Sequence, residues 1–166
     1  KLEGARQAAY RTLVIAGVRD PLMIQKLPEI EAEAMEQVGQ YYSDVSREDY
    51  QINFYNYGIN GVLGSLEPQT DLPHEVGLLF EVVAKTQEMA DMLSATLRST
   101  ILHFGYEGRK STAGNLAFPF APSDVSFGPV YEFSIYHLMD LEPEEVCGLF
   151  PVEQLNWRTY EKSEIV

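Results

Sequence analysis

Twice in this chain a β-branched, apolar run ends at a polar capping residue and gives way at once to a stripe with helical spacing. Residues 10–18, YRTLVIAGV, stop at Arg19-Asp20-Pro21, where Asp20 suits an N-cap and Pro21 a first helical position. Leu27, Ile30, Ala34, Val38 and Tyr41 then recur three and four residues apart. They predict a helical region over 21–42 that Pro28 kinks or splits. The second instance is 75–84, EVGLLFEVVA, after which Thr86 caps a helix over 87–104. Met89, Leu93, Thr96, Leu97, Thr100, Ile101 and Phe104 form its inner stripe, and Gly105 is its natural stop.

Two further runs complete the pattern. In 50–58, YQINFYNYG, Ile52, Phe54 and Asn56 alternate with Asn53, Tyr55 and Tyr57, as a strand requires. The Asn60-Gly61 pair after it signals a turn, and the stretch to Pro73 reads as loop with a short extra strand at 62–66. The last strand is expected at 129–138, PVYEFSIYHL. The order β-α-β-β-α-β predicts an α+β domain over 1–139 of the ferredoxin-like, split βαβ type. That fold is an antiparallel sheet with both helices on one face. Val76, Leu78, Phe80 and Val82 would meet the helices, as would Tyr131, Phe133 and Ile135. The opposite face would carry Glu75, Leu79, Glu81, Val83, Glu132, Ser134 and Tyr136, with Tyr55 and Tyr57. Such a mixture of carboxylates and aromatics suits docking onto another surface. Residues 140–166 are an acidic C-terminal tail that wraps a neighbour or frays, with Trp157 exposed.

Charge narrows the partners. Twelve basic residues against 25 acidic give a net charge of −13, which disfavours nucleic acid and anionic membrane as partners. Arg98, His103, Arg109 and Lys110 can still form a local basic patch. The single Cys147 excludes an internal disulfide, no Cys/His spacing suits a metal, and a cytoplasmic chain is the expectation. The chain opens at Lys1 without an initiating Met, which reads as a fragment, a processed chain or an isolated domain.

AGVRDP at 16–21, HEVGLLFEVVAKTQEMAD at 74–91, TAGNLAFPFAPSD at 112–124 and GPVYEFSIYHLM at 128–139 resemble one family. It is the acyclic terpene utilisation, AtuA-type, family, and the resemblance covers roughly 10–150, matching the C-terminal part of its members. The resemblance implies a larger α/β domain or chain as partner, an oligomer, and lyase or hydratase chemistry on a branched acyl-CoA or organic acid. It implies no catalytic motif that maps onto individual residues here, and no cofactor is assigned.

The residues themselves suggest where such chemistry would sit. Glu81 and Glu132 lie in apolar strands and point to the open face. Covered by a partner, each carboxylate would be desolvated and become a candidate acid or base. Alternatively they are interface carboxylates paired with a partner's arginines. The loop from Gly105 to Asp124 is the substrate-binding candidate. Arg109, with Lys110, suits a thioester's phosphates, Gly114 and Asn115 an oxyanion, and Phe118-Pro119-Phe120 an acyl chain, with Asp124 closing the loop. The competing reading is a loop packed on its own domain. His74 reads as a surface-turn residue, His103 as a helix-end residue and His137 as a core-edge residue. No G-x-S-x-G elbow, G-x-G-x-x-G or Walker sequence is present, so no nucleotide cofactor is expected. The overall alternatives are an enzyme part that completes an active site and a non-catalytic assembly module.

Overall fold

The computed structural model describes residues 1–150, 153–156 and 161–164. The chain divides into two compact units, Gln7–Glu132 and Lys1–Arg6 with Phe133–Val166. Along it run β1 (Leu2–Val18), α1 (Pro21–Tyr41), β2 (Tyr50–Tyr57), β3 (Val76–Ala84), α2 (Gln87–His103) and β4 (Asp124–His137). These are followed by α3 (Pro143–Leu149), β5 (Glu153–Asn156) and β6 (Glu161–Glu164). The first four strands form an open antiparallel sheet in the order β2-β3-β1-β4. The central strand β3 pairs with β1 from Tyr10↔Ala84 to Val18↔Val76, and with β2 from Tyr50↔Ala84 to Tyr57↔Gly77.

Alternation places the core of the larger unit. Val14 and Val18 of β1 and Val76, Leu78, Phe80 and Val82 of β3 turn inward together and are fully buried. Met23, Leu27, Ala34 and Val38 of α1 and Leu93, Leu97 and Ile101 of α2 close over them. Burying a side chain such as Phe80 stabilises the fold by roughly 1.5–3 kcal/mol. Asp20 caps α1 by accepting the Leu22 N–H at 2.9 Å, and Thr86 caps α2 by accepting that of Met89 at 3.2 Å. α1 is unbroken across Pro28, whose exposed ring lies away from the core stripe.

Several expectations are corrected. Tyr41 is 75 % exposed, because α1 ends there; Tyr42 instead packs on the core and shares a 2.8 Å hydrogen bond with Thr96 Oγ1. Residues 62–66 form no strand but a single 3-10 turn, Gly64–Leu66. The backbone folds back here: the N–H groups of Ile59, Asn60 and Gly61 all donate to Asn56 O. A Cβ at Gly61 would lie 2.8 Å from Tyr57 N, so only glycine fits that approach.

Two strands are longer than their sequence signals, since β1 begins at Leu2 and β4 at Asp124. Tyr131, Phe133 and Ile135 are 62, 75 and 48 % exposed and cover no helix. Hydrogen bonds to α2 come from the start of β4, where Asp124 and Ser126 reach it. Beyond them Gly128 takes a positive φ of +91 within the strand. His137 is likewise exposed rather than at a core edge. The segment after 140 forms α3 and an antiparallel β5–β6 hairpin, paired from Glu153↔Glu164 to Asn156↔Glu161. Trp157 lies outside the described residues.

Polar locks join the layers of the larger unit. Thr12 Oγ1, Gln87 Nε2 and Ser126 Oγ converge on Asp91 Oδ1 at 2.5, 2.9 and 2.9 Å. Burial works against the Asp91 charge, but these three hydrogen bonds prevail and hold its carboxyl below the usual range. Asp20 also accepts the Tyr106 hydroxyl at 2.8 Å, tying the loop after α2 to the start of α1. Burial, and then the bond to Asp20, push the Tyr106 phenol up to about 12.

A phenol raised in the fold is stabilising below its unfolded value near 10, and that contribution is lost as pH rises towards about 12. Denaturant titrations at pH 9 and 11.5 should therefore show the parent chain losing on the order of 1 kcal/mol more than Tyr106→Phe, allowing for solvent screening. Equal losses in the two proteins would remove this role from Tyr106.

Candidate functional site

The open face of the sheet is organised around Glu81. Its position in β3 is opposite in parity to Phe80 and Val82, so the alternation that buries those residues sends the carboxylate to the other side. There it sits in register between Leu13 of β1 and Asn53 of β2. Oε1 accepts Asn53 Nδ2 at 2.8 Å and the Tyr55 hydroxyl at 3.0 Å, while Oε2 meets Arg11 Nε at 2.6 Å. Glu81 is 7 % exposed even though its face of the sheet is open. The hydrogen bond to Glu81, followed by burial, raises the Tyr55 phenol above its ordinary value.

Two hydrogen-bond donors and an ion-pair contact with Arg11 occupy the carboxylate, and a proton transfer through it would first have to displace them. The arginine that pairs with Glu81 comes from this chain, one strand away, and not from a partner. Around the pair the face is apolar and aromatic: Ile15 is 40 % exposed, Tyr57 49 % and Phe127 63 %. Phe127 belongs to this face because its neighbour Ser126 bonds to α2 on the other.

Glu132 occupies different ground. It is exposed and lines an open groove of about 620 Å³ with Lys85, Asp49 and Gln51, a groove to which Glu81 does not contribute. The two carboxylates therefore do not converge on one pocket.

The loop candidates are engaged with their own domain. Asn115 donates from its backbone N–H to Leu102 O at 2.8 Å, and from Nδ2 to Ile101 O and Phe104 O at 3.0 and 2.9 Å. It thereby satisfies carbonyls that the end of α2 would otherwise leave open. Arg109 Nη1 donates to His103 O at 3.2 Å at the same helix end. Gly114, at φ +147, lies so close to Leu102 that any Cβ would collide with that side chain. Its N–H donates to Ser111 Oγ at 3.2 Å. Ala117 forms a two-way backbone bridge with Gly17 of β1, and Phe118 packs on the core, leaving Phe120 44 % exposed. Asp124 accepts Arg98 Nε at 2.5 Å and Ser94 Oγ at 3.2 Å, fastening the loop's far end to α2.

His74 and His103 are exposed, the first at the turn before β3, where its carbonyl accepts Arg19 Nη1 at 2.5 Å. Among the described residues no group of three or more His, Cys, Asp or Glu is placed to hold a metal ion. Nor is any described helix long and apolar enough to cross a membrane.

Known proteins offer no guide here. No family model matches this chain, and neither a curated protein nor a solved structure matches it.

Sequence reasoning missed Arg11 and Asn53 as the partners of Glu81. A signal was available: Arg11 is a cation inside the apolar run YRTLVIAGV, at the parity opposite to Thr12, Val14 and Ala16. It did not point to Glu81, because the pairing needs the register of two strands about seventy residues apart in sequence.

Replacing Asn115 by Ala removes both side-chain bonds to α2 and should destabilise the domain by about 2 kcal/mol. Amide exchange should accelerate in the last turn of α2 and in residues 112–118 and not in β3. Exchange rates unchanged at Leu102 and Ala117 would mean that the loop is held by other contacts.

Proposed function

We propose that this chain is the ferredoxin-like, C-terminal part of an AtuA-type enzyme and serves there as an assembly module. In that role it docks a larger α/β chain of the same family through its open sheet face. The observation that carries this reading is the construction of that face, with an Arg11–Glu81 ion pair at its centre and exposed aromatic and aliphatic side chains around it. A neutralised polar centre inside an apolar surround suits burial against a partner, because covering it leaves no charge unpaired. Supporting the wider assignment are the β-α-β-β-α-β succession, the strand order 4-1-3-2 read from β4, and the stretches that resemble that family.

The reading in which this chain completes an acyl-CoA or organic-acid lyase site receives less support. Asn115, Arg109 and Asp124 are committed to α2, and Glu81 to Arg11. The two readings separate experimentally when the chain is co-expressed with an AtuA-type α/β chain. Tyr57→Asp and Phe127→Asp should each weaken the complex at least tenfold by light scattering while leaving the melting temperature of the isolated chain within a few degrees. Glu81→Gln and Glu132→Gln should leave turnover of the complex within a few-fold. Intact association with turnover abolished by both carboxylate changes would sink the assembly reading and restore a catalytic one.

A further inference from the structure

The first half of α1 and the 58–73 loop line a concave pocket of about 420 Å³, to which none of the residues discussed above as catalytic or substrate-binding contributes. That size lies within the usual range for small-molecule sites, roughly 300–1,000 Å³. Ile24, Pro28, Ile59 and Leu72 supply apolar walls, and Gln25, Gln69 and Thr70 supply neutral polar groups. The charged groups lining it are Glu67 and Asp71, with no Lys, Arg or His among the lining residues.

The loop wall is built rather than draped. Asn56 O gathers three successive N–H groups at its start, Gly64 N–H donates to Asn60 O at 2.8 Å, and Gln69 N–H donates to Glu67 Oε1 at 3.0 Å. At the root of the loop, Asn56 Nδ2 donates to Glu31 Oε1 of α1 at 2.8 Å, fixing the loop to the helix that forms the opposite wall. A pocket held open by its own backbone bonds loses little freedom on binding.

We infer that this pocket binds a small aliphatic cation, its hydrocarbon chain between Ile24, Ile59 and Leu72 and its ammonium group at Glu67 and Asp71. Two carboxylates without a compensating base repel an anion, and the net charge of −13 adds to that discrimination. Acyl thioesters and free organic acids are therefore disfavoured at this site. The inference does not rest on the open sheet face, so its failure would leave the assembly reading standing.

The probes are n-hexylammonium, hexanol and hexanoate, titrated into the isotopically labelled chain and followed by amide NMR shifts. Hexylammonium should give saturable shifts centred on Ile24, Ile59, Gly61 and Thr70, hexanol should bind about fivefold more weakly, and hexanoate should not saturate. In the Glu67→Gln, Asp71→Asn double variant, where Gln keeps the acceptor for Gln69, hexylammonium affinity should fall at least about fivefold towards that of hexanol. Leu72→Trp should fill the pocket and abolish the shifts; should that variant fail to fold, the surface charge variant still decides. Hexanoate binding as tightly as hexylammonium, shifts spread over the acidic surface without saturation, or an unaltered affinity in the charge variant would each overturn the inference.

Discussion

The burial of one face of the sheet beneath two helices is the constraint from which the other features follow. Val76, Leu78, Phe80 and Val82 must turn inward together, and the β3 backbone then has no freedom in where it sends Glu81. A slip of one residue would drive that carboxylate into the layer occupied by Leu27, Leu93 and Leu97, at the cost of an ionised group in an apolar core. The same register brings Arg11 and Asn53 alongside it on either neighbouring strand. The ion pair on the open face is thus a consequence of core packing, and its geometry is as firmly determined as that of Phe80.

A second tier of interactions converts the packed layers into a particular shape. Asp91 gathers donors from β1, α2 and the first residues of β4, and Asn115 closes the end of α2. Each is a half-buried polar group with several partners, so that it specifies structure rather than weakens it. They also explain the composition of the loop 112–124, which is apolar because Phe118 enters the core and Ala117 extends the edge of β1. Its few polar residues are spent on the helix beside it. A loop built in this way presents little chemistry to a ligand.

What remains outward is a face with the Arg11–Glu81 ion pair at its centre and exposed aromatic side chains around it, together with an open pocket of acidic character beside a structured loop. These surfaces ask for different partners. The first suits a broad protein surface, since desolvating a satisfied ion pair costs far less than desolvating a lone charge. The second is too concave for that and selects by the sign of charge.

The order of the first four strands and two helices, most of the inner stripe of each helix, the caps at Asp20 and Thr86 and the parity of Glu81 were legible in the sequence, because each is a local pattern. The lengths of β1 and β4 were not, since their outer halves have mixed composition, and a strand read from 129 onward lacks the Asp124 and Ser126 contacts that set which side meets α2. Arg11 as the partner of Glu81, Asn115 as the cap of α2 and the pocket beneath the 58–73 loop also lay beyond it. Periodicity determines which way a side chain points. Only the tertiary structure decides what it meets there, because each of these contacts joins segments whose relative register is settled by the packed core and not by neighbours along the chain.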